Sequence, residues 1–329
     1  MSSIQFADIL AAQQRISPYI KKTPILSSSM LNQWLGHDIF FKAECMQTTG
    51  AFKLRGATNF LLKALENNHR PNKIVASSSG NHAQAVAYIG NKLGIPTCIY
   101  ASESISPIKA SATRAYGATL KLYSNRLLAD EAVREAAQAD HCAWIKPFND
   151  ADVVAGQGTV IAESLSELDN IDGIFAPCGG GGLLSGSLIA ARSLSPHTQV
   201  IGTEPLAAND AADSLRQGKI VNLPTAPETL ADGAATPAVG EVTFPYLQAL
   251  DDFYEVNEEA IKYWTQWLHH ILKVHVEPTC AMSMAAVTSW LAKQTSRKRV
   301  LVILSGGNIS AQSMQMIWQD DYLSDLPSL

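Results

Sequence analysis

Short apolar runs recur along the chain with helix-forming stretches between them, and this alternation restricts the fold more than any other feature. The runs are Lys73–Ser77, Thr97–Tyr100, Thr119–Tyr123, Gly173–Pro177, Gln199–Thr203 and Val300–Leu304. Between them lie Asn81–Leu93, Arg126–Ala139, Thr159–Leu168 and Glu258–Val274, rich in Ala, Leu and Gln. Strands that alternate with helices pair in parallel, because each crossover returns the chain to the same end of the sheet. A run such as Val-Leu-Val-Ile-Leu, apolar at every position, suits a strand covered on both faces. The expected class is therefore α/β, with mostly parallel, twisted sheets covered by helices. At 329 residues the chain has room for about two domains.

Composition removes several classes of function. Hydrophobic residues make up 47% and charged residues 17%, which argues against disorder. The net charge is −5 and no basic run stands out, which argues against nucleic acid as the main partner. No stretch reaches the roughly 18 apolar residues that a membrane helix needs. The start, Met1 to Asp8, lacks the charged and apolar regions of a signal peptide. The five cysteines, Cys45, Cys98, Cys142, Cys178 and Cys280, show no CxxC spacing. Most of them read as small core residues in a reducing cytoplasm, not as a disulfide framework or a zinc site.

Gly218–Tyr246 is the least periodic stretch and holds Pro224, Pro227, Pro237 and Pro245. It reads as an irregular surface excursion of the kind that borders sites in α/β enzymes. Such enzymes bind small molecules at the carboxyl ends of strands, so chemistry is sought there.

Four segments qualify. Pro177 to Gly186 reads Pro-Cys-Gly-Gly-Gly-Gly-Leu-Leu-Ser-Gly and leads into a helix-like Ser187–Arg192. Four glycines let backbone N–H groups approach a ligand closely, and the helix start favours an anion such as phosphate. No Gly-Lys-Ser/Thr follows, so this is not a P-loop. A relaxed dinucleotide fingerprint remains open, since Glu204 ends the next strand about 20 residues on. The rival is then an NAD(P)-dependent oxidoreductase. Thr48 to Ala57 contains Phe52 and Lys53 at the start of a helix. A lysine sheltered there loses its proton readily and can act as a Schiff-base nucleophile. Ser77 to Gln84 offers Ser78, Ser79, Asn81 and His82 as donors for a substrate carboxylate, or else a helix cap. Leu304 to Ile309 places Ser305 at a strand end before a glycine turn.

Jointly and in this order, Phe-Lys-x-Arg-Gly-Ala, Ser-Gly-Asn-His-Ala-Gln, Ala-Gly-Gln-Gly-Thr (Ala155–Thr159), the tetraglycine and Ser-Gly-Gly-Asn resemble the fold-type-II pyridoxal 5′-phosphate enzymes. The serine/threonine dehydratase and serine racemase branch is the more similar one, because His82 stands where cysteine synthases carry Thr. The resemblance runs from Lys22-Thr-Pro24 to Gly306-Gly-Asn308. It implies a two-lobed, tryptophan synthase β-like fold. The large cofactor domain would comprise residues 1–48 and 151–329, and a small mobile substrate-side domain residues 49–150.

The resemblance also implies roles. Lys53 would hold pyridoxal 5′-phosphate and then act as the base at Cα. Phe52 would pack near the pyridine ring and Asn81 would meet its phenolic oxygen. Gly179, Gly180, Gly181, Gly182 and Leu183 would cradle the phosphate, and Ser305 would meet the ring nitrogen. Ser78, Asn81 and His82 would take the substrate carboxylate. Ser79 would lie opposite Lys53, where a racemase needs its second acid/base. Glu204, the Ala208 carbonyl and Asp210 would hold Mg²⁺ or Ca²⁺, whose preference is for oxygen ligands.

The implied activity is an ammonia-lyase that eliminates water from L-serine or L-threonine. Serine racemase and threo-3-hydroxyaspartate dehydratase are the alternatives, and a non-enzymatic binding module is a distant one. The expected partner is a small amino-acid substrate, and the expected assembly is a homodimer in the cytoplasm. The sequence departs from the pattern at Ala51, where Ser is common, and at Ala85, where Gly is commoner. About twenty residues follow Ser-Gly-Gly-Asn, so no regulatory domain of the biosynthetic threonine dehydratases is expected.

Overall fold

The structure, a computed structural model, describes residues 3–225 and 227–329. Met1 and Ser2, from the leader reading, and Ala226, from the irregular excursion, lie outside the described residues.

Among the described residues ten strands form two sheets. They are β1 (Ile25–Ser27), β2 (Asp38–Lys42), β3 (Lys73–Ser77), β4 (Thr97–Ser102), β5 (Thr119–Tyr123), β6 (Cys142–Trp144), β7 (Gly173–Pro177), β8 (Gln199–Pro205), β9 (Asp252–Val256) and β10 (Arg299–Ile303). The large sheet has the order β1-β2-β10-β7-β8-β9 and the small sheet β5-β4-β3-β6. Every pairing is parallel except β1 with β2, which run antiparallel from Ile25 opposite Lys42. The parallel α/β class is thus the observed one.

Except for the edge strand β5, which is largely exposed, the apolar runs are buried on both faces, and successive residues divide between two cores as the pleat requires. Ile174, Ala176, Val200, Leu301 and Ile303 pack on one side of the large sheet with residues of the helices Ala151–Leu165 and Gly182–Leu194. Phe175, Ile201, Val300 and Val302 pack on the other side with Trp264, Trp267, Met284 and Val287. The small sheet is also covered twice. Ile74, Ala76 and Ile99 meet the helices Lys53–Glu66 and Asn81–Lys92, while Val75, Cys98 and Tyr100 meet Ala129 and Val133. No helix among the described residues is long and apolar enough to cross a membrane. The five cysteines are free thiols.

Two helices extend beyond their sequence outline. The helix read over Thr159–Leu168 spans Ala151–Leu165, and the one read from Ser187 starts at Gly182. Glycine is a poor helix former, which hides both starts. The reason for the glycines is contact with distant backbone. A Cβ on Gly156 would lie 2.7 Å from the Arg55 carbonyl, and one on Gly158 would lie 2.9 Å from the Gly186 carbonyl. Three helices therefore approach at glycine faces, and the Lys53 helix is seated against the large sheet's layer.

A buried ionic cluster fixes that seat. The Arg55 guanidinium donates to both Glu44 oxygens at 2.8 and 2.7 Å and to Glu163 at 2.9 Å. Lys42 reaches Glu163 at 2.5 Å and the Thr23 carbonyl at 2.7 Å. Arg55, Lys42 and Glu44 are 0% exposed and Glu163 is buried, so two cations and two carboxylates neutralise each other in the interior. The cluster joins β2, the 151–165 helix and the Lys53 helix, which accounts for motif residues outside the cleft.

Candidate active site

The four candidate segments converge where the strand ends of the two sheets face each other. Lys53 opens its helix after the loop Thr48–Phe52. The Phe52 N–H donates to the Ser305 carbonyl at 3.0 Å, the Gly307 N–H donates to the Gly50 carbonyl at 2.9 Å, and Ala51 bridges Gly306. The lysine loop and the β10 end are thus one backbone-bonded unit. Ala51 is fully buried in that bridge, and Ala85 lies in the small-sheet core.

Lys53 Nζ lies 3.0 Å from the Pro147 carbonyl and 5.1 Å from the Phe52 ring centre. Loss of hydration lowers its pKa to about 8, with no opposing charge. An ammonium bonded only to a carbonyl is poised to become a neutral amine. Gln157 Nε2 donates to the same carbonyl at 3.2 Å.

The glycine turn is held from behind. Thr243 Oγ1 donates to the Gly180 carbonyl at 2.7 Å, and Gly240 N–H adds a longer bond at 3.3 Å. Gly181 takes φ +86°, a left-handed backbone that favours glycine, and caps the Gly182–Leu194 helix. A Cβ on Gly180 would run into the Phe148 ring, and one on Gly181 would lie 2.9 Å from Leu247 Cδ1. Beside the turn, Gln157 Oε1 and Thr236 Oγ1 are buried without hydrogen-bond partners. The orphaned Thr236 hydroxyl, a helix start and a glycine cradle fit a phosphate, and the desolvated Lys53 fits an aldehyde. The residues present thus fit pyridoxal phosphate.

Ser305 is buried at the β10 end, and its carbonyl is used by Phe52. Asn81 and His82 begin the helix Asn81–Lys92, whose first N–H groups have no acceptor within the helix. Ser78 Oγ accepts from Gly80 N–H at 3.1 Å, and Ser79 Oγ accepts from Ser102 N–H at 3.4 Å. The His82 ring bonds the Ile145 carbonyl through Nε2 at 2.8 Å. Burial and the Lys53 charge lower its pKa to about 3, so the ring is neutral. Its one N–H is then directed at Ile145, which leaves the backbone N–H of His82 as its donor for a carboxylate.

Several neighbours have no sequence signal of their own. Glu277 is 1% exposed and takes the Asn81 amide at 2.9 Å on both oxygens. Burial and Asp232 push its carboxyl up to about 7, against the pull of Lys109. Lys109, beside the small sheet, pairs with Asp232 across the cleft. Arg126 Nη1 reaches the Ala235 carbonyl at 3.3 Å. Each of these pairs brings together segments far apart in the chain, which periodicity cannot reveal.

The second predicted cluster lies beyond β8. Glu204 is buried and accepts from Ala212 N–H at 2.6 Å and Ala211 N–H at 3.2 Å. Both Asp210 oxygens are buried without partners. Burial pushes Glu204 up to about 9 and Asp210 up to about 7. Among the described residues no three His, Cys, Asp or Glu side chains converge, so a cation here needs carbonyl or water ligands as well. Two orphaned carboxylate oxygens beside a second carboxylate and the Ala208 turn fit a hard divalent cation.

Comparison with known proteins gives a consistent result. The family described as pyridoxal-phosphate dependent enzyme matches residues 16–306. The L-threo-3-hydroxyaspartate ammonia-lyase of Saccharomyces cerevisiae is 42% identical over 306 residues, covering 92% of this chain and 93% of that protein. The serine racemase of Dictyostelium discoideum is 37% identical, covering 96% of this chain and 98% of its own. The crystal structure of a threonine deaminase from T.th. superposes with a TM-score of 0.87 at 41% identity, covering 93% of this chain and 99% of that one.

Proposed function

The chain belongs to the pyridoxal-phosphate dependent enzymes, in their fold-type-II group, and within that family we propose that it is an ammonia-lyase acting on L-serine or L-threonine. The observation that carries the proposal is Lys53, a desolvated amine without a counter-ion, in one cleft with the glycine turn and Ser305. Bound pyridoxal phosphate supplies an electron sink that makes the substrate Cα–H acidic.

The chain's own residues do the rest. Gly179, Gly180, Gly181, Gly182 and Leu183 hold the phosphate through N–H groups, and Phe52 flanks the ring. Ser305 offers a hydroxyl to the ring nitrogen. A hydroxyl cannot keep that nitrogen protonated as a carboxylate would, which favours prompt loss of a β leaving group. The free N–H groups at the Asn81 helix, with Ser78, orient the substrate carboxylate. Lys53 Nζ would take the Cα proton, and the β-hydroxyl would leave with the Cβ–O electron pair and gain that proton to depart as water. The released enamine gains water and loses ammonia, giving pyruvate from serine or 2-oxobutyrate from threonine.

Glu204, the Ala208 carbonyl and Asp210 hold Mg²⁺ or Ca²⁺ in this proposal, and the orphaned Asp210 oxygens support it. The domains divide at residues 49 and 150, and the enzyme works as a cytoplasmic homodimer.

A second substrate has its own support. The yeast relative is named for threo-3-hydroxyaspartate. Arg126, half exposed, pairs with Asp130 through Nε at 3.7 Å and with the Ala235 carbonyl through Nη1 at 3.3 Å, and its Nη2 keeps N–H donors for a second carboxylate. Racemisation is favoured by a different feature: Ser79 has a hydroxyl hydrogen with no described acceptor, and the Dictyostelium relative is a serine racemase.

The test is an assay of 2-oxo acid and ammonia with the three substrates, with and without Mg²⁺, and of D-serine. Turnover of serine or threonine supports the main proposal. Exclusive turnover of hydroxyaspartate selects the second. D-serine formation that Ser79→Ala abolishes selects the racemase, and no turnover of any amino acid refutes all three.

A further inference from the structure

Glu277 takes no part in the chemistry proposed above, yet it is among the most enclosed carboxylates of the molecule. It precedes the short helix Pro278–Ala281, and its N–H donates to the Gly306 carbonyl at 2.9 Å. Its oxygens receive the Asn81 amide, each at 2.9 Å, and Oε1 also receives the Asn308 backbone N–H at 3.0 Å. Asn308 closes the ring: its Nδ2 donates to Asn81 Oδ1 at 2.8 Å and to the Thr49 carbonyl at 2.8 Å. Asn81 comes from the end of the small sheet, and its two partners come from the large-sheet side.

This ring determines which way the Asn81 amide faces. The Thr49 carbonyl only accepts, so the Asn308 group facing it is Nδ2; its second N–H needs the Asn81 oxygen, which leaves the Asn81 amide nitrogen on Glu277. The amide oxygen is then on Asn308, whose two N–H groups are both used. The two hydrogens of one amide nitrogen diverge too widely to reach the same carboxylate together. One N–H therefore straddles Glu277, and the other is the donor left on the Asn81 amide. The ring thus turns the amide oxygen toward Asn308 and leaves an N–H of Asn81 to donate to a ligand.

We infer that Glu277 is a positioning residue that, with Asn308, locks the Asn81 amide as an N–H donor toward the phenolic oxygen of pyridoxal phosphate. The inference rests on the cofactor assignment proposed above. A donor held there favours the ionised phenolic oxygen and so the yellow form of the bound cofactor. Glu277→Gln keeps the shape but puts N–H groups where Asn81 and Asn308 need an acceptor. Asn308→Ala frees the Asn81 oxygen and leaves the buried charge untouched.

The experiment loads wild type, Glu277→Gln, Asn308→Ala, Asn81→Ala and the Asn81→Ala/Glu277→Gln double variant with pyridoxal phosphate. It reads the ratio of the visible to the near-ultraviolet band of the bound cofactor, with melting curves to confirm folding. Glu277→Gln and Asn308→Ala are each expected to lower the ratio about threefold or more, the size of one lost hydrogen bond. In the Asn81→Ala background, Glu277→Gln is expected to change nothing further. Asn308→Ala decides alone if Glu277→Gln does not fold. Wild-type ratios in the folded variants overturn the inference, as does an undiminished Glu277→Gln effect without Asn81. A wild type that takes up no cofactor is a different result, and it removes the cofactor assignment itself.

Discussion

Phe52 and Ser305 are joined through their backbones, the Phe52 N–H lying 3.0 Å from the Ser305 carbonyl. Lys53 is the next residue, so the amine and the β10-end hydroxyl belong to one rigid unit although most of the chain separates them in sequence. In the proposed assignment these two residues would hold pyridoxal phosphate from its aldehyde side and its ring-nitrogen side.

The first prediction concerns pH. Burial lowers Lys53 from 10.5 to about 8, so the neutral, nucleophilic fraction of the apo enzyme rises as pH rises toward that value. Cofactor uptake is expected to quicken about tenfold per pH unit below about 8 and to level off above it. Stopped-flow absorbance on the apo enzyme measures this. A rate still climbing past pH 9, as for an exposed lysine, would contradict it.

The second concerns the seat of the Lys53 helix. Arg55→Met leaves Glu44 and part of Glu163 buried without their cation. Loss of one partner of a buried pair costs about 3–5 kcal/mol. Chemical denaturation is expected to show that loss, whereas a change below about 1 kcal/mol, the worth of a surface pair, would sink the cluster's structural role.

The third concerns the cradle. Gly181→Ala places a side chain on a φ of +86° and 2.9 Å from Leu247 Cδ1. Pyridoxal phosphate affinity is expected to fall at least about tenfold, which corresponds to roughly 1.4 kcal/mol. Equilibrium titration of the apo enzyme followed by fluorescence reads it, and wild-type affinity would show that the turn does not hold the phosphate.

The fourth concerns the cation. Mg²⁺ or Ca²⁺ at about 100 times its dissociation constant is expected to stabilise the protein by about 2.7 kcal/mol. Asp210→Asn should remove that response, because both Asp210 oxygens lack protein partners. Melting curves with and without metal provide the check; an equal response in the variant would place the ion elsewhere.

Much of this molecule was legible in its sequence, for identifiable reasons. The strand β7 is apolar throughout, and β10 is so after Arg299, because helices cover both faces. The strands β1, β2, β6 and β9 escaped notice: β1 and β6 are three residues long, and β9 is a mixed edge strand. Lys53, the tetraglycine and Ser305 each follow a loop or strand end with a local signature. Glu277, Phe148, Thr243 and the partners of Arg55 carry none, since their meaning lies in contacts across the chain, such as Asn81 with Glu277, 196 positions apart. His82 is the instructive case. Its place in the motif suggested a carboxylate ligand, but its ring N–H is directed at Ile145.

The most direct measurement is borohydride reduction of the purified yellow protein followed by peptide mapping. A single pyridoxyl group on Lys53, absent from Lys53→Ala, is the predicted result. A label on any other lysine, or none on residue 53, contradicts the account.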